Sequence, residues 1–188
     1  SWQEAEELVD EMFANNIPRD EYTYCAAMNA CKEAGKWREA AALLPRMRAD
    51  RVPPNTIAYN TAIGACAFFG RPNKSWNSDR KSSSFVRPTT TRNPREGALS
   101  PMQIEACEAA EFALGLMEEM KSEGVKMDVI TYGSLMSALS PRGAAGADVV
   151  LELFDVLQET DIKPNSIIYV AAIRAYGDKG NWQEAEEV

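Results

Sequence analysis

Apolar residues in the first part of the chain recur at the spacing of an amphipathic helix. Between residues 24 and 31 they occupy positions i, i+3, i+4 and i+7, which lie on one face of a helix. Gly35 follows, and glycine just past a helix is the usual left-handed terminator. Gly70, Gly143 and Gly180 occupy the same place in the later units. The pattern therefore predicts a short helix that ends before Gly35. Its apolar face consists of Tyr24, Ala27, Met28 and Cys31.

A second apolar stripe comes directly after this turn and predicts another helix over residues 37–49. Pro45 falls inside that helix, where it removes a backbone hydrogen bond and predicts a kink or a cost of about 3 kcal/mol. Pro53 and Pro54 cannot continue a helix, so an extended connector follows. The order is helix, tight turn, helix, connector. The second stripe consists of Ala40, Leu43, Leu44 and Met47.

The same order returns along the whole chain. The tyrosines that begin each segment are 35, 73 and 37 residues apart. The gap of 73 is one unit of 35 plus an insertion, and fixed-period similarity of this kind indicates stacked supersecondary units. We expect the repeated Tyr, Met and Leu positions to form the core. They are Tyr24, Tyr59, Tyr132 and Tyr169; Met12, Met47, Met120 and Leu157; and Leu8, Leu43, Leu116, Leu153 and Val188.

The predicted fold is all-α: a right-handed superhelical α-solenoid of antiparallel helix–turn–helix repeats, because neither short helix can bury its stripe alone. One solenoid occupies residues 1–188, and it starts and stops inside a repeat, as expected for a piece of a longer array. The predicted divisions are a partial repeat 1–20, repeats 21–55, 56–128 and 129–165, and a partial repeat 166–188.

The long insertion lies near residues 71–99, inside repeat 56–128. It is rich in Ser, Thr, Arg, Asn and Pro, which predicts a loop without secondary structure. Ser100, Pro101 and Gln103 resemble a helix N-terminus, so the second helix of this repeat should begin about two turns early. The chain has a net charge of −8, yet the loop is basic. A solvated insertion, an RNA-contacting arm and a protein-docking segment all fit it. Its cations are Arg71, Lys74, Arg80, Lys81, Arg87, Arg92 and Arg95.

The composition argues against several classes of function. There is no histidine, which is the commonest general base and metal ligand. The four cysteines form no C-x-x-C pair, so we expect no metal, no cofactor, no small-molecule substrate and no enzymatic activity. No apolar run approaches the roughly 18 residues that span a membrane.

Certain segments resemble the pentatricopeptide repeat family. Examples are Val129-Ile-Thr-Tyr132 and Thr56-Ile-Ala-Tyr-Asn60 at helix starts, and Asp-Ile-Lys-Pro-Asn165 at a repeat end. The resemblance covers the chain except the insertion. It implies sequence-selective binding of single-stranded RNA in a mitochondrion or chloroplast, about one base per repeat, for RNA processing, stability or translation.

The resemblance also implies which residues meet RNA. The base edge is read by the residue after the tyrosine together with the last residue of the repeat, and the base is wedged between apolar residues two places before each tyrosine. Only Asn60 with Asp128 matches a well-formed family pair, one that favours uracil. The reading residues are Cys25 with Asn55, Asn60 with Asp128, Gly133 with Asn165, and Val170; the wedge residues are Tyr22, Ile57, Ile130 and Ile167.

Two alternatives stay open. The positions that often hold a phosphate-binding lysine in the family are here Glu33, Phe68, Pro141 and Asp178. This acidic wall favours a protein-binding scaffold in a large organellar assembly, whereas the intact wedge favours RNA. The last residues of the repeats also suit helix capping, which would explain Asn55, Asp128 and Asn165 without any base reading.

Overall fold

The computed structural model describes residues 1–68, 101–140 and 144–180. Within these ranges the chain forms eight α-helices and no strand. The prediction of an all-α repeat fold is therefore confirmed. The helices are α1 (Trp2–Ala14), α2 (Glu21–Glu33), α3 (Trp37–Ala49), α4 (Thr56–Phe68), α5 (Pro101–Ser122), α6 (Val129–Leu139), α7 (Ala144–Gln158) and α8 (Ser166–Lys179).

Polar caps and glycines set the helix ends. Asp20 accepts a hydrogen bond from the backbone N–H of Thr23 at 2.8 Å and so starts α2. Gly35 has a φ of 69° just past α2, and Gly180 has a φ of 78° at the end of α8. Both are left-handed, as the sequence predicted for these two positions.

The helices form two layers. The first helices of the units, α2, α4, α6 and α8, pack side by side as an inner row. The second helices, α3, α5 and α7, together with α1, form an outer row, and each packs against inner helices. Because α4 contacts α2, α3, α5 and α6, the insertion between α4 and α5 does not interrupt the stack.

The repeated apolar positions form the core between the layers. Tyr24, Tyr59, Met47, Met120 and Leu157 are fully buried. The tyrosine hydroxyls reach polar partners on the outer helices or just beyond them, so burial of these rings leaves no phenol oxygen unsatisfied. The Tyr59 hydroxyl donates to Glu123 at 2.8 Å and accepts from Arg48 at 2.7 Å.

The core prediction is wrong at both ends of the described stack. Leu8 and Tyr169 are exposed, and Met12 is only half-buried. These positions are buried elsewhere because a neighbouring helical pair covers them. Leu8 belongs to α1, the first of the described helices, and residues 181–188, which include Val188, lie outside the described residues.

Ion pairs join successive outer helices. Arg46 on α3 binds Asp10 on α1, and Arg48 on α3 binds Glu119 on α5. Arg38 reaches both Glu105 and Glu108 on α5, the former at 2.8 Å. These contacts place several acidic side chains of the chain on its outer row.

Helix α5 begins at Pro101 and ends at Ser122, as the sequence predicted. Its counterpart α3 begins at Trp37, which corresponds in register to Ala110, so α5 carries extra turns at its start. The ring of Phe112 packs against Trp37 at 5.6 Å between centroids. The insertion and the proposed cap at Ser100 lie outside the described residues.

Two further sequence features are the proline inside α3 and the connection between α6 and α7. Helix α3 runs from Trp37 to Ala49 with Pro45 inside it. The gap of 37 between Tyr132 and Tyr169 is two residues longer than one unit and predicts a wider turn within residues 140–147. In the structure α6 ends at Leu139 and α7 begins at Ala144. Residues 141–143, with the expected terminator Gly143, are outside the described ranges.

Candidate nucleic-acid interface

Four large apolar side chains stand exposed at equivalent places on the inner row. Each is the second residue of an inner helix, so the four recur along the stack. Their exposed fractions are high for side chains of this kind, and a contiguous exposed apolar row indicates a binding surface. These wedge residues are Tyr22 (74% exposed), Ile57 (61%), Ile130 (57%) and Ile167 (55%).

Asn60, near the start of repeat 56–128, and Asp128, its last residue, are in direct contact. The Asn60 amide donates from Nδ2 to Asp128 Oδ1 at 3.0 Å. The Thr131 hydroxyl donates to Asn60 Oδ1 at 2.6 Å. The structure therefore brings the predicted uracil-reading pair together and adds Thr131, a buried residue that sequence reasoning did not single out.

Asp128 also caps α6. Its Oδ1 accepts from the backbone N–H of Ile130 at 3.0 Å and of Thr131 at 2.8 Å. Burial raises the pKa of this carboxyl, but the hydrogen bonds from Thr131 and Asn60 outweigh burial and hold the pKa below its ordinary value. Asp128 is thus ionised at neutral pH.

Asn55 lies beside Glu21 rather than alone with Cys25. Asn55 Nδ2 donates to Glu21 Oε2 at 2.8 Å, while Asn55 Oδ1 accepts from the backbone N–H of Ala58 at 3.0 Å. Burial raises the pKa of the Cys25 thiol, and the nearby carboxylate of Glu21 raises it further. At this site a carboxylate that was not predicted stands among the reading residues.

Gly133 and Asn165 make a third, different site. Asn165 caps α8 by accepting from the N–H groups of Ile167 at 3.1 Å and Ile168 at 3.2 Å. A Cβ on Gly133 would lie 3.6 Å from Cγ2 of Ile167, so the backbone of α6 approaches the wedge residue closely. Val170, the last predicted reading position, is exposed on α8.

A cavity of about 210 Å³ opens next to this third site. Residues from the starts of α6 and α8 line one part of it, and residues from later turns of α2, α4 and α6 line another. Lys32 belongs to the second group and was not predicted as a site residue. The lining includes Ile130, Gly133, Asn165 and Ile167 from the helix starts, and Lys32, Gly64, Ser134 and Ser137 from the later turns.

The inner row carries little charge. Helices α4 and α6 contain no Asp, Glu, Lys or Arg. In contrast, the outer helix α1 contains five carboxylates and no Lys or Arg. Glu33 and Asp178, two of the positions where the family often has a lysine, are exposed on inner helices. The expected acidic wall is therefore mainly a property of the outer row.

The remaining predicted positions cannot be placed. The side chain of Phe68 and the whole of Pro141 are outside the described parts of the chain. The same holds for the basic residues Arg71 to Arg95. In the ranges that the structure covers, no cluster of metal-binding side chains occurs, and no helix is long and apolar enough to span a bilayer.

Comparison with solved structures supports the fold. The chain is similar to the PPR domain of Arabidopsis thaliana protein-only RNase P 1 in complex with tRNA, with a TM-score of 0.67 and 17% identity over 99% of this chain and 77% of that chain. It also matches the pentatricopeptide repeat protein PPR10 from maize. In complex with an 18-nt psaJ RNA element, PPR10 gives a TM-score of 0.39 and 22% identity, over 100% of this chain and 31% of PPR10.

Comparison with family models is more specific. The search of curated proteins gives no match. A model described as a pentatricopeptide repeat domain matches residues 7–67 and 115–179, on both sides of the insertion. These two segments make up more than half of the chain and contain all four exposed wedge residues. The chain belongs to the pentatricopeptide repeat family.

Proposed function

We propose that this chain is a non-enzymatic module that binds single-stranded RNA along its inner row, with about one base per repeat. The observation that carries the proposal is the row of exposed wedge residues at equivalent places on four helices. Exposed apolar side chains at a regular spacing suit the faces of successive unstacked bases.

The polar groups beside the wedge supply edge recognition. Asn60 follows the wedge residue Ile57 by three residues on α4, and its partner Asp128 precedes the wedge residue Ile130 by two residues. An amide and a carboxylate together offer a donor and acceptors to a base edge. On the family's pattern this pair selects uracil.

The distribution of charge also supports RNA. A strongly acidic groove would repel phosphates, which supply much of the affinity for nucleic acid. Here α4 and α6 are uncharged, and acidic residues such as Asp10, Glu105 and Glu119 are paired with arginines on the outer row. The tRNA complex of the structurally similar RNase P domain fits the same proposal.

The proposal also covers the cellular compartment in which the protein acts. By family resemblance, the parent protein acts in a mitochondrion or chloroplast, where it positions a transcript for processing, stability or translation. A fluorescent fusion of the full-length protein tests the compartment. Location of the fusion outside both organelles would contradict this part alone.

The binding proposal is tested with wedge substitutions. Ile130→Ala should weaken binding of a labelled uridine oligonucleotide about fivefold, because roughly 1 kcal/mol of apolar contact is lost. The matched control is Ile104→Ala on α5, where the isoleucine is 47% exposed but belongs to the outer row. Fluorescence anisotropy at low salt provides the dissociation constants.

The same titrations test recognition of the base. Asn60→Ala should reduce the preference for uridine over the other homopolymers, since it removes a donor and an acceptor from the reading pair. If the unaltered chain binds no homopolymer at low salt, the RNA proposal for this chain fails.

The second candidate is a protein-binding scaffold. The acidic outer helix α1 favours it, because clustered carboxylates suit a basic protein partner. Loss of partner binding on neutralising Glu4, Glu7 and Glu11, with no RNA binding by the unaltered chain, would favour this candidate.

A further inference from the structure

The cavity beside Gly133 differs from the other predicted base sites. It has a volume of about 210 Å³, many times the room that one water molecule needs. Two absent side chains help to create it, because both Gly133 on α6 and Gly64 on α4 belong to its lining. The corresponding reading residue in the preceding unit is Asn60, which has a full side chain.

The side chain of Lys32 lies against Gly64. A Cβ on Gly64 would stand 3.5 Å from Cε and 3.6 Å from Nζ of Lys32. The lysine stem therefore rests on the bare backbone of α4, and its ammonium group lies in the wall of the cavity. Among the described residues that line the cavity, Lys32 is the charged one.

The lining of the cavity combines apolar and polar side chains. Ile130 and Ile167 are wedge residues, so the part next to them suits the faces of a base. Further along the helices, Lys32 supplies a cation and Ser134 and Ser137 supply hydroxyl groups. An ammonium group and hydroxyl donors suit a phosphate.

We propose that this cavity holds one complete nucleotide of the bound RNA, its base between Ile130 and Ile167 and its phosphate on Lys32 and Ser137. The inference rests on the proposed function and deepens it. It assigns the phosphate contact to Lys32, one place before the position at which the family often has its lysine, here Glu33. Because Gly133 has no side chain, the site accepts any base.

Lys32→Met tests the proposal, since methionine keeps an apolar stem over Gly64 and removes the charge. The matched control is Lys121→Met on α5, where the lysine pairs with Glu118 at 3.1 Å. Binding of labelled uridine and adenosine oligonucleotides is measured by anisotropy over a range of chloride concentrations. Melting temperatures verify that both variants are folded.

Lys32→Met should weaken binding about five- to tenfold for both oligonucleotides, since phosphate contacts carry no sequence information. The slope of log affinity against log salt should become shallower by about 0.7, the value for one phosphate contact on a single strand. Lys32→Arg should retain the slope, and Lys121→Met should leave both quantities unchanged.

An unchanged slope in Lys32→Met, or an equal loss in Lys121→Met, would overturn the assignment of Lys32 while leaving the proposed function intact. Lack of RNA binding by the unaltered chain would overturn both. Inorganic phosphate at matched ionic strength should not compete. Competition that depends on Lys32 would assign the cavity to free phosphate and overturn the nucleotide assignment.

Discussion

Asp128, at the boundary between units, accepts hydrogen bonds from two different helices. One carboxylate oxygen accepts from the first N–H groups of α6 and from the Asn60 amide of the preceding helix. The negative charge lies at the positive end of the helix dipole, where it is favourable. The Thr131 hydroxyl in turn donates to Asn60 Oδ1, so these hydrogen bonds fix the orientation of the proposed reading pair.

The charge of Asp128 should have a measurable pH dependence. Asp128→Asn keeps the capping oxygen but loses the charge, so it should lower the free energy of unfolding by about 0.5–1 kcal/mol at neutral pH. Because the folded pKa lies below the ordinary value of 3.8, this contribution is complete above that pH and disappears as the pH falls through the folded pKa.

Urea denaturation of the unaltered chain and Asp128→Asn, from pH 7 down to pH 3, measures the difference. The control is Asp155→Asn, at an exposed carboxylate on the outer helix α7. A difference that stays constant below pH 3.8 would show that the carboxylate charge contributes nothing to capping.

At the scale of single elements, α3 contains a proline that interrupts its backbone hydrogen bonding. Pro45 lies in its interior and is exposed, so its ring fills no core space. Proline has no N–H, and the carbonyl of Ala41 therefore lacks the usual helical donor. The helix persists because its opposite face is buried through Leu43, Leu44 and Met47.

Pro45→Ala should therefore raise the free energy of unfolding by about 1–3 kcal/mol, since it restores this hydrogen bond and relieves the ring clash. Pro53→Ala in the connector after α3 is the control, and there the change should be neutral or slightly destabilising. Thermal and urea unfolding measure both. A Pro45→Ala variant no more stable than the unaltered chain would mean that α3 already accommodates the ring without cost.

On the scale of the whole molecule, α4 packs directly on both α5 and α6. Deletion of residues 72–98 should leave the total helical circular dichroism signal of the chain and its melting temperature nearly unchanged. The few residues that remain can still join α4 to α5. A large fall in melting temperature would show that the inserted segment contributes to the stack.

Much of the fold was predictable because each helix is encoded by local spacing that recurs. The start of α5 followed from Ser100 and Pro101, and the wedge residues followed from one register. Leu8 and Tyr169 were mispredicted because burial depends on a neighbouring unit, which the repeated pattern presupposes. Periodicity describes equivalent positions, so it identifies a register and not the contacts that cross from one unit to the next.

The site residues that escaped prediction depend on such contacts. Lys32 lines the cavity together with Gly64, which lies on the following inner helix. Glu21 joins the first reading site only through its hydrogen bond with Asn55, at the other end of the same unit. Comparing repeats position by position cannot reveal either pairing, since neither recurs in the other units.

The last residue of each repeat caps the start of a helix with the same side chain that is proposed to meet a base, as in Asn55, Asp128 and Asn165. Few residue types can therefore occupy this position. Only small residues with an acceptor oxygen start a helix well. A redesign of such an array for a new transcript must therefore choose among Asn, Asp, Ser and Thr at this position. Any wider change in base preference must come from substitutions of the partner residue on the inner helix.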